Sequence, residues 1–435
     1  MCRGLVPGSG RRPQLAGLAL GLLLAGLGSG WPARAEEPSA YPVVTEPVAL
    51  LEAFTAEPDR RAVQTQAAFL FVVANLLRRP TQAECIKQPH TDMAPPEDLA
   101  VLGVPSTIYV LEAAGRKRYS LRELQEELRR RGFASAEGLS VRSDPGLAAE
   151  LRALTAELLA KPNRRAAALL AVHSLQHPDP LVRVAAAIAV AEAVKHGRKL
   201  AVERLRSHAR EGDPLVRLIA ATSLARLAPR DPLLEELAAA SPGPSGREPI
   251  HSSTIVHGTW AARGDWWRPT GDFHGYLLAD VVPDLYAGDD PFGWSGAWRM
   301  SARRKAAQSL TAWAADHQAP CLNLFAHSHG ANLAMLATRR GLEIGRLVLL
   351  SCPVHWTKYK PKPDSIQSAL SIRSRLDLVI LADAGGQRFP QGSGIREHVL
   401  PIWFSHSASH DLEVWKAHEL ERELPTQACT RAENQ

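Results

Sequence analysis

Cysteine is scarce in this chain, five in 435 residues. No two cysteines stand in a C-x-x-C or Cys/His spacing, so nothing suggests a sequence-encoded zinc framework. No uninterrupted apolar run approaches the roughly 20 residues of a membrane span, which excludes a polytopic membrane protein. Acidic residues are missing from positions 1–35, which hold Arg3, Arg11, Arg12 and Arg34. Without these four, 47 basic residues face 45 acidic ones, and the net charge of +6 falls to +2. That near-neutral balance, with no basic, aromatic-studded motif, disfavours nucleic-acid binding. An apolar share of 45% with 22% charged residues excludes a mostly disordered chain. The length calls for more than one core.

Residues 1–35 read as a secretory signal. Arg3, Arg11 and Arg12 precede the apolar run Leu15–Leu27, and Ala33-Arg34-Ala35 gives the small-residue end before Glu36-Glu37. The run is short against the hydrocarbon thickness, so cleavage is favoured over a retained anchor. An exported, periplasmic or secreted protein is expected. Export permits disulfides, and Cys85, Cys321, Cys352 and Cys429 allow three pairings among which the sequence does not choose.

Residues 36–150 form a mixed region to which no activity is assigned. Val63–Leu77 reads as an apolar helix, Ser106–Leu111 as a short strand and Leu121–Arg131 as a charged helix. Between 151 and 240 the chain turns Ala/Leu/Val-rich and repeats itself. Asp179-Pro180-Leu181-Val182-Arg183 recurs 34 residues later as Asp213-Pro214-Leu215-Val216-Arg217, each copy followed by apolar sequence. Aspartate caps a helix start and proline fits its first turn, so this period predicts stacked helix pairs. The pattern resembles HEAT repeats. Two copies are fewer than the roughly three that usually stand alone, so the block should pack on a neighbour. It serves either as a spacer or as a surface for a protein partner.

Residues 241–249, opening Ser241-Pro-Gly-Pro-Ser-Gly246, read as a linker, and 425–435 as a tail. Between them, at 250–424, short apolar runs at Thr254–Val256, Leu322–Phe325, Leu347–Leu350 and Val399–Phe404 alternate in part with helical stretches, notably Ala302–Asp316 and Ala331–Arg340. This grammar indicates an α/β fold with a mostly parallel sheet. Nine of the ten tryptophans lie between Trp260 and Trp415. Trp266, Trp267, Phe273, Tyr276, Tyr286, Phe292, Trp294 and Trp298 either line an apolar pocket or fill the core under long loops. Lys358, Lys360 and Lys362 read as solvated surface.

The run Leu322–Phe325 leads into Ala326-His327-Ser328-His329-Gly330 and then a helix, the setting of a nucleophile elbow. Small residues two places either side of Ser328 suit the close approach of strand and helix, with Ala326 in place of the usual glycine. Upstream, a strand ends in His257-Gly258-Thr259-Trp260. Downstream, Asp377 follows the run Leu370–Ser374, and His406 follows Leu400–Phe404. The chain order is nucleophile, acid, base. Over about 250–424 the chain resembles the α/β-hydrolase superfamily, specifically its lipase- and esterase-like members. The resemblance implies Ser328 as nucleophile, His406 as general base and Asp377 as the group orienting it. It also implies an oxyanion hole from the backbone N–H groups of His329 and of Thr259 or Trp260. Asp383 is a rival for the acid if Leu378–Ala382 is a strand, and His410 a rival for the base. His327 and His329 form no metal pair by this reading, because neighbours in a tight turn diverge and no further ligands accompany them. No metal or organic cofactor is expected. The implied activity is carboxylic ester hydrolysis through an acyl-enzyme, on a small-molecule or lipid ester. The alternative is an inactive hydrolase-fold scaffold that binds protein through its repeats.

Overall fold

In a computed structural model, residues 39–78, 92–113, 117–134, 139–239, 253–426 and 429 are described. The stretches read as a signal (1–35) and a linker (241–249) lie outside them, as does Cys85. Asp59 opens α1 (Arg60–Leu77), its side chain accepting from the Ala62 amide. Every residue of α1 from Ala62 onward is buried, the polar Gln64, Thr65, Gln66 and Asn75 included, so neighbours wrap the helix on all sides. After it come α2 (Leu121–Arg130), α3 (Gly146–Ala160), α4 (Arg164–Ser174), α5 (Pro180–Ala193), α6 (Gly197–Arg210) and α7 (Pro214–Leu227). Successive helices from α3 to α7 pack side by side, and α1 lies against α5. Asp179 and Asp213 cap α5 and α7, each accepting from the amide two residues on, with proline in the first turn. The segment Ser106–Leu111 is not the expected strand: Ser106–Tyr109 is a 3-10 turn running into a helix at Val110–Ala113. Ile108 and Leu111, three residues apart, are both buried while Val110 is 55% exposed. That spacing satisfies one helical face, and no described strand pairs with the segment.

The sheet begins at β1 (Ser253–Val256), after which come α8 (Met300–Asp316), β2 (Cys321–His327), α9 (His329–Thr338) and β3 (Glu343–Leu350). Then follow β4 (Ile366–Arg375), α10 (Leu378–Asp383), β5 (Ile395–Trp403) and α11 (Leu412–Ala417). The five strands pair in the order β1-β2-β3-β4-β5, all parallel. Strand side chains alternate between faces. Leu322, Leu324 and Ala326 face a core shared with α8 and α9. Phe325 and Val348 face the opposite core, closed by Trp267, Phe273 and Trp415. Because all strands run one way, their carboxyl ends share one edge, the usual place for a site in an open α/β sheet.

Hydrogen bonds and a shared core tie the parts together. Asn75 of α1 donates to the Leu381 carbonyl of α10 (2.9 Å), and Arg226 of α7 to the Asn75 side chain (3.0 Å). Leu378, Val379, Leu381, Ala382, Trp403 and Phe404 belong to the same core as the helical block. The run Leu378–Ala382, considered above as a strand, is therefore a helix buried between block and sheet. Cys321 and Cys429 form a disulfide from β2 to the chain beyond α11, and Cys352 is free and buried.

Candidate active site

Ser328 sits between β2 and α9 with φ 54° and ψ −129°, a left-handed conformation unfavourable for a residue with a Cβ. Its amide donates to the Leu350 carbonyl at 2.7 Å, so the bend is held by the neighbouring strand. The same device recurs along this edge. Ser351, Leu376 and Phe404 also have positive φ just past β3, β4 and β5. Close packing enforces the two glycines nearest the serine. A Cβ on Gly258 would lie 2.7 Å from that of Ser328, and one on Gly330 only 2.4 Å from the His257 carbonyl oxygen. Gly330 thus lets α9 cross the end of β1.

Asp377 caps α10: one carboxylate oxygen accepts from the amides of Val379 (2.9 Å) and Ile380 (3.1 Å). The other accepts from His406 Nδ1 at 2.7 Å, both groups being buried. Because a carboxylate only accepts, that bond requires the proton on Nδ1 and leaves Nε2 as the ring nitrogen not engaged with Asp377. Gln387 clamps the backbone of Asp377 from both sides, accepting from its amide and donating to its carbonyl, each at 3.3 Å. The Ser328 hydroxyl makes no side-chain hydrogen bond among the described residues, and its oxygen is not sealed from solvent. No Ser328–His406 hydrogen bond is formed. The histidine instead lies beside the elbow, its ring 4.7 Å from that of His327, whose Nε2 donates to the His406 carbonyl. Such contacts are often loose without substrate.

The rivals occupy other places. His410 packs on Trp266 (4.1 Å) and His327 (4.3 Å), pairs with no carboxylate among the described residues, and is pushed by burial to a pKa of about 3. Asp383 ends α10 and faces away from His406, toward His355 Nε2 (2.6 Å) and His329 Nε2 (3.3 Å). Burial pushes the His329 imidazole down to about 3, so the ring is neutral. Desolvation opposes ionisation of Asp383, yet the two facing imidazoles outweigh it and hold the carboxyl well below its ordinary range. His327 and His329 do diverge, but the fold supplies His329 with the partners the sequence did not reveal. The rule that picked out Asp377, a polar residue just past a strand end, does not reach His355, which stands beyond residues 351–354 after β3. Gln387 carried no such signal.

Of the two upstream amides, that of Trp260 donates to the Gly296 carbonyl at 2.9 Å, whereas those of Thr259 and His329 bond to no described residue. The Thr259 amide is accordingly the one left free. Trp267, Phe273, Tyr276, Tyr286, Phe292 and Trp294 are core residues. Trp260 and Trp298 are half-buried and stacked 6.1 Å apart. Trp298 also lines a cleft of about 380 Å³ with Pro229, Arg230, Arg299 and Met300, at the seam between helical block and sheet. Lys358, Lys360 and Lys362 are exposed.

Compared with protein-family models, curated proteins and solved structures, the chain has no match.

Proposed function

We propose that this chain is a serine hydrolase of the α/β-hydrolase type that cleaves carboxylic esters, with HEAT-like repeats buttressing it. The observation carrying the proposal is the coincidence, on one sheet edge, of a strained serine elbow and a buried Asp377–His406 pair at 2.7 Å. In this reading Ser328 attacks the ester carbonyl while His406 Nε2 takes its proton, and Asp377 stabilises the imidazolium. The free amides of Thr259 and His329 receive the oxyanion, each donor worth roughly 3 kcal/mol of barrier. His406 then returns the proton to the leaving alcohol. Water repeats the cycle on the acyl-enzyme, and its proton passes through the same imidazole. The half-buried Trp260–Trp298 pair beside the oxyanion loop supports an apolar acyl or aryl group as the part recognised. The composition of residues 1–35 supports export. Among the described residues no helix is long and apolar enough to cross a membrane.

A serine-reactive fluorophosphonate tests the proposal. Labelling of the wild type that vanishes in Ser328→Ala, together with p-nitrophenyl ester turnover lowered roughly 10⁴-fold or more, is the expected result. A folded wild-type chain that resists the probe would leave the fold as a protein-binding scaffold.

A further inference from the structure

We propose that His329, His355 and Asp383 form a binding site for a divalent transition-metal ion. The three residues come from the start of α9, the loop after β3 and the end of α10, and their ligand atoms lie within 4.8 Å of one another. Both imidazoles aim Nε2 at the same oxygen of Asp383, and their rings lie parallel within 6°. Two imidazole nitrogens and one carboxylate oxygen make a donor set suited to Zn²⁺ and its first-row neighbours.

The spacing is close to what an ion requires. Donors about 2.0–2.1 Å from a tetrahedral ion stand about 3.3 Å apart. His329 Nε2 already lies 3.3 Å from Asp383 Oδ2. His355 Nε2, at 2.6 Å, must retreat by about 0.7 Å to the same spacing. It lies on a loop and is the most exposed of the three side chains, at 14%. No other described residue makes an ion pair with Asp383. Arg226 is held by Glu192 at 3.1 Å, and Arg303 stacks on Trp298 and bonds the Tyr359 hydroxyl.

The surrounding shell is adaptable in the needed sense. Asn332 Nδ2 lies 3.0 Å from His329 Nδ1 and donates to the Pro353 carbonyl, while its Oδ1 is buried without a partner. Turning the amide over brings Oδ1 to Nδ1–H, the outer bond that fixes a metal-ligating tautomer, and gives up the bond to Pro353. Three protein ligands leave a position for water on the His355 side. A bound ion would join the serine elbow to the end of α10 directly, independently of whether Ser328 is a nucleophile.

The untagged full-length chain, stripped with a chelator, is titrated with Co²⁺ and Zn²⁺. The expected result is one Co²⁺ per chain with visible ligand-field bands, displaced by Zn²⁺. His355→Ala should weaken binding roughly 100-fold or more, as loss of a direct ligand exceeds the effect of an outer-shell change. Ser328→Ala should bind like the wild type, which separates this site from the hydrolase proposal. X-ray absorption of the zinc-loaded wild type should show two imidazoles with oxygen and no sulfur, and needs no variant to fold. No saturable uptake, equal uptake by wild type and His355→Ala, or sulfur in the coordination shell would each overturn the site.

Discussion

Asp377 does two jobs with two oxygens, and a single substitution separates them. Asn at this position keeps an acceptor for the Val379 and Ile380 amides, so the cap on α10 survives. Its amide nitrogen then faces His406 Nδ1, which favours the tautomer with Nε2 protonated and useless as a base. Asp377→Asn should therefore melt within a few degrees of the wild type while kcat on an activated ester falls roughly 10³–10⁴-fold. Equal losses of stability and activity would assign Asp377 to the fold alone. The candidate site residues Ser328, Asp377 and His406 were legible in the sequence because each follows a strand end, a local property. Choosing between Asp377 and Asp383, or His406 and His410, was not. That choice depends on which side chain the fold turns toward which, and Gln387 shows the same limit, since its grip on Asp377 exists only in three dimensions.

Among the elements, the repeat caps were the most legible, because Asp-Pro at a helix start acts within one turn. Their second use was hidden. Asp179 also accepts from the Tyr41 hydroxyl at 2.7 Å and from Arg60 at 2.5 Å, while Asp213 accepts from Ser39 and the Ala40 amide. The two caps thus hold the segment at 39–41 across the helical stack, with partners separated by 119 to 174 residues. Asp179→Ala should cost about 3 kcal/mol, since it removes a cap and strands a buried tyrosine hydroxyl. Asp213, less enclosed, should cost about 1 kcal/mol. Urea unfolding of each variant gives the comparison, and equal costs would mean that the Tyr41 and Arg60 contacts add nothing. The misread strand at Ser106–Leu111 and the doubtful one at Leu378–Ala382 share a cause. Short apolar runs fit either period, and the neighbours decide.

For the molecule as a whole, buried neutral histidines set an acid limit. Burial drives His177 down to a pKa of about 4, with Arg183 adding to the effect and Asp179 opposing it, and His257 is driven to the same value. Above pH 6.5 such a ring is neutral both folded and unfolded and has no effect. Between 6.5 and 4 the unfolded chain takes up the proton and the folded one does not, so stability falls with pH, by about 3 kcal/mol for His177. His177→Asn keeps an acceptor for the Asp179 amide and should flatten that slope in melting curves from pH 7 to 4. A parallel slope would place the acid sensitivity elsewhere. The shared core sets a second limit. Because α10 is packed between the sheet and α1 with α7, a chain starting at residue 253 would expose Leu378, Val379, Leu381 and Trp403 to water. At roughly 2 kcal/mol for each such side chain, the loss rivals the whole stability of a domain. The truncated chain should be insoluble or lack a cooperative melt, whereas the full chain should unfold in one calorimetric transition. A soluble, fluorophosphonate-reactive fragment would show instead that the helical block is an accessory and not part of the folding unit.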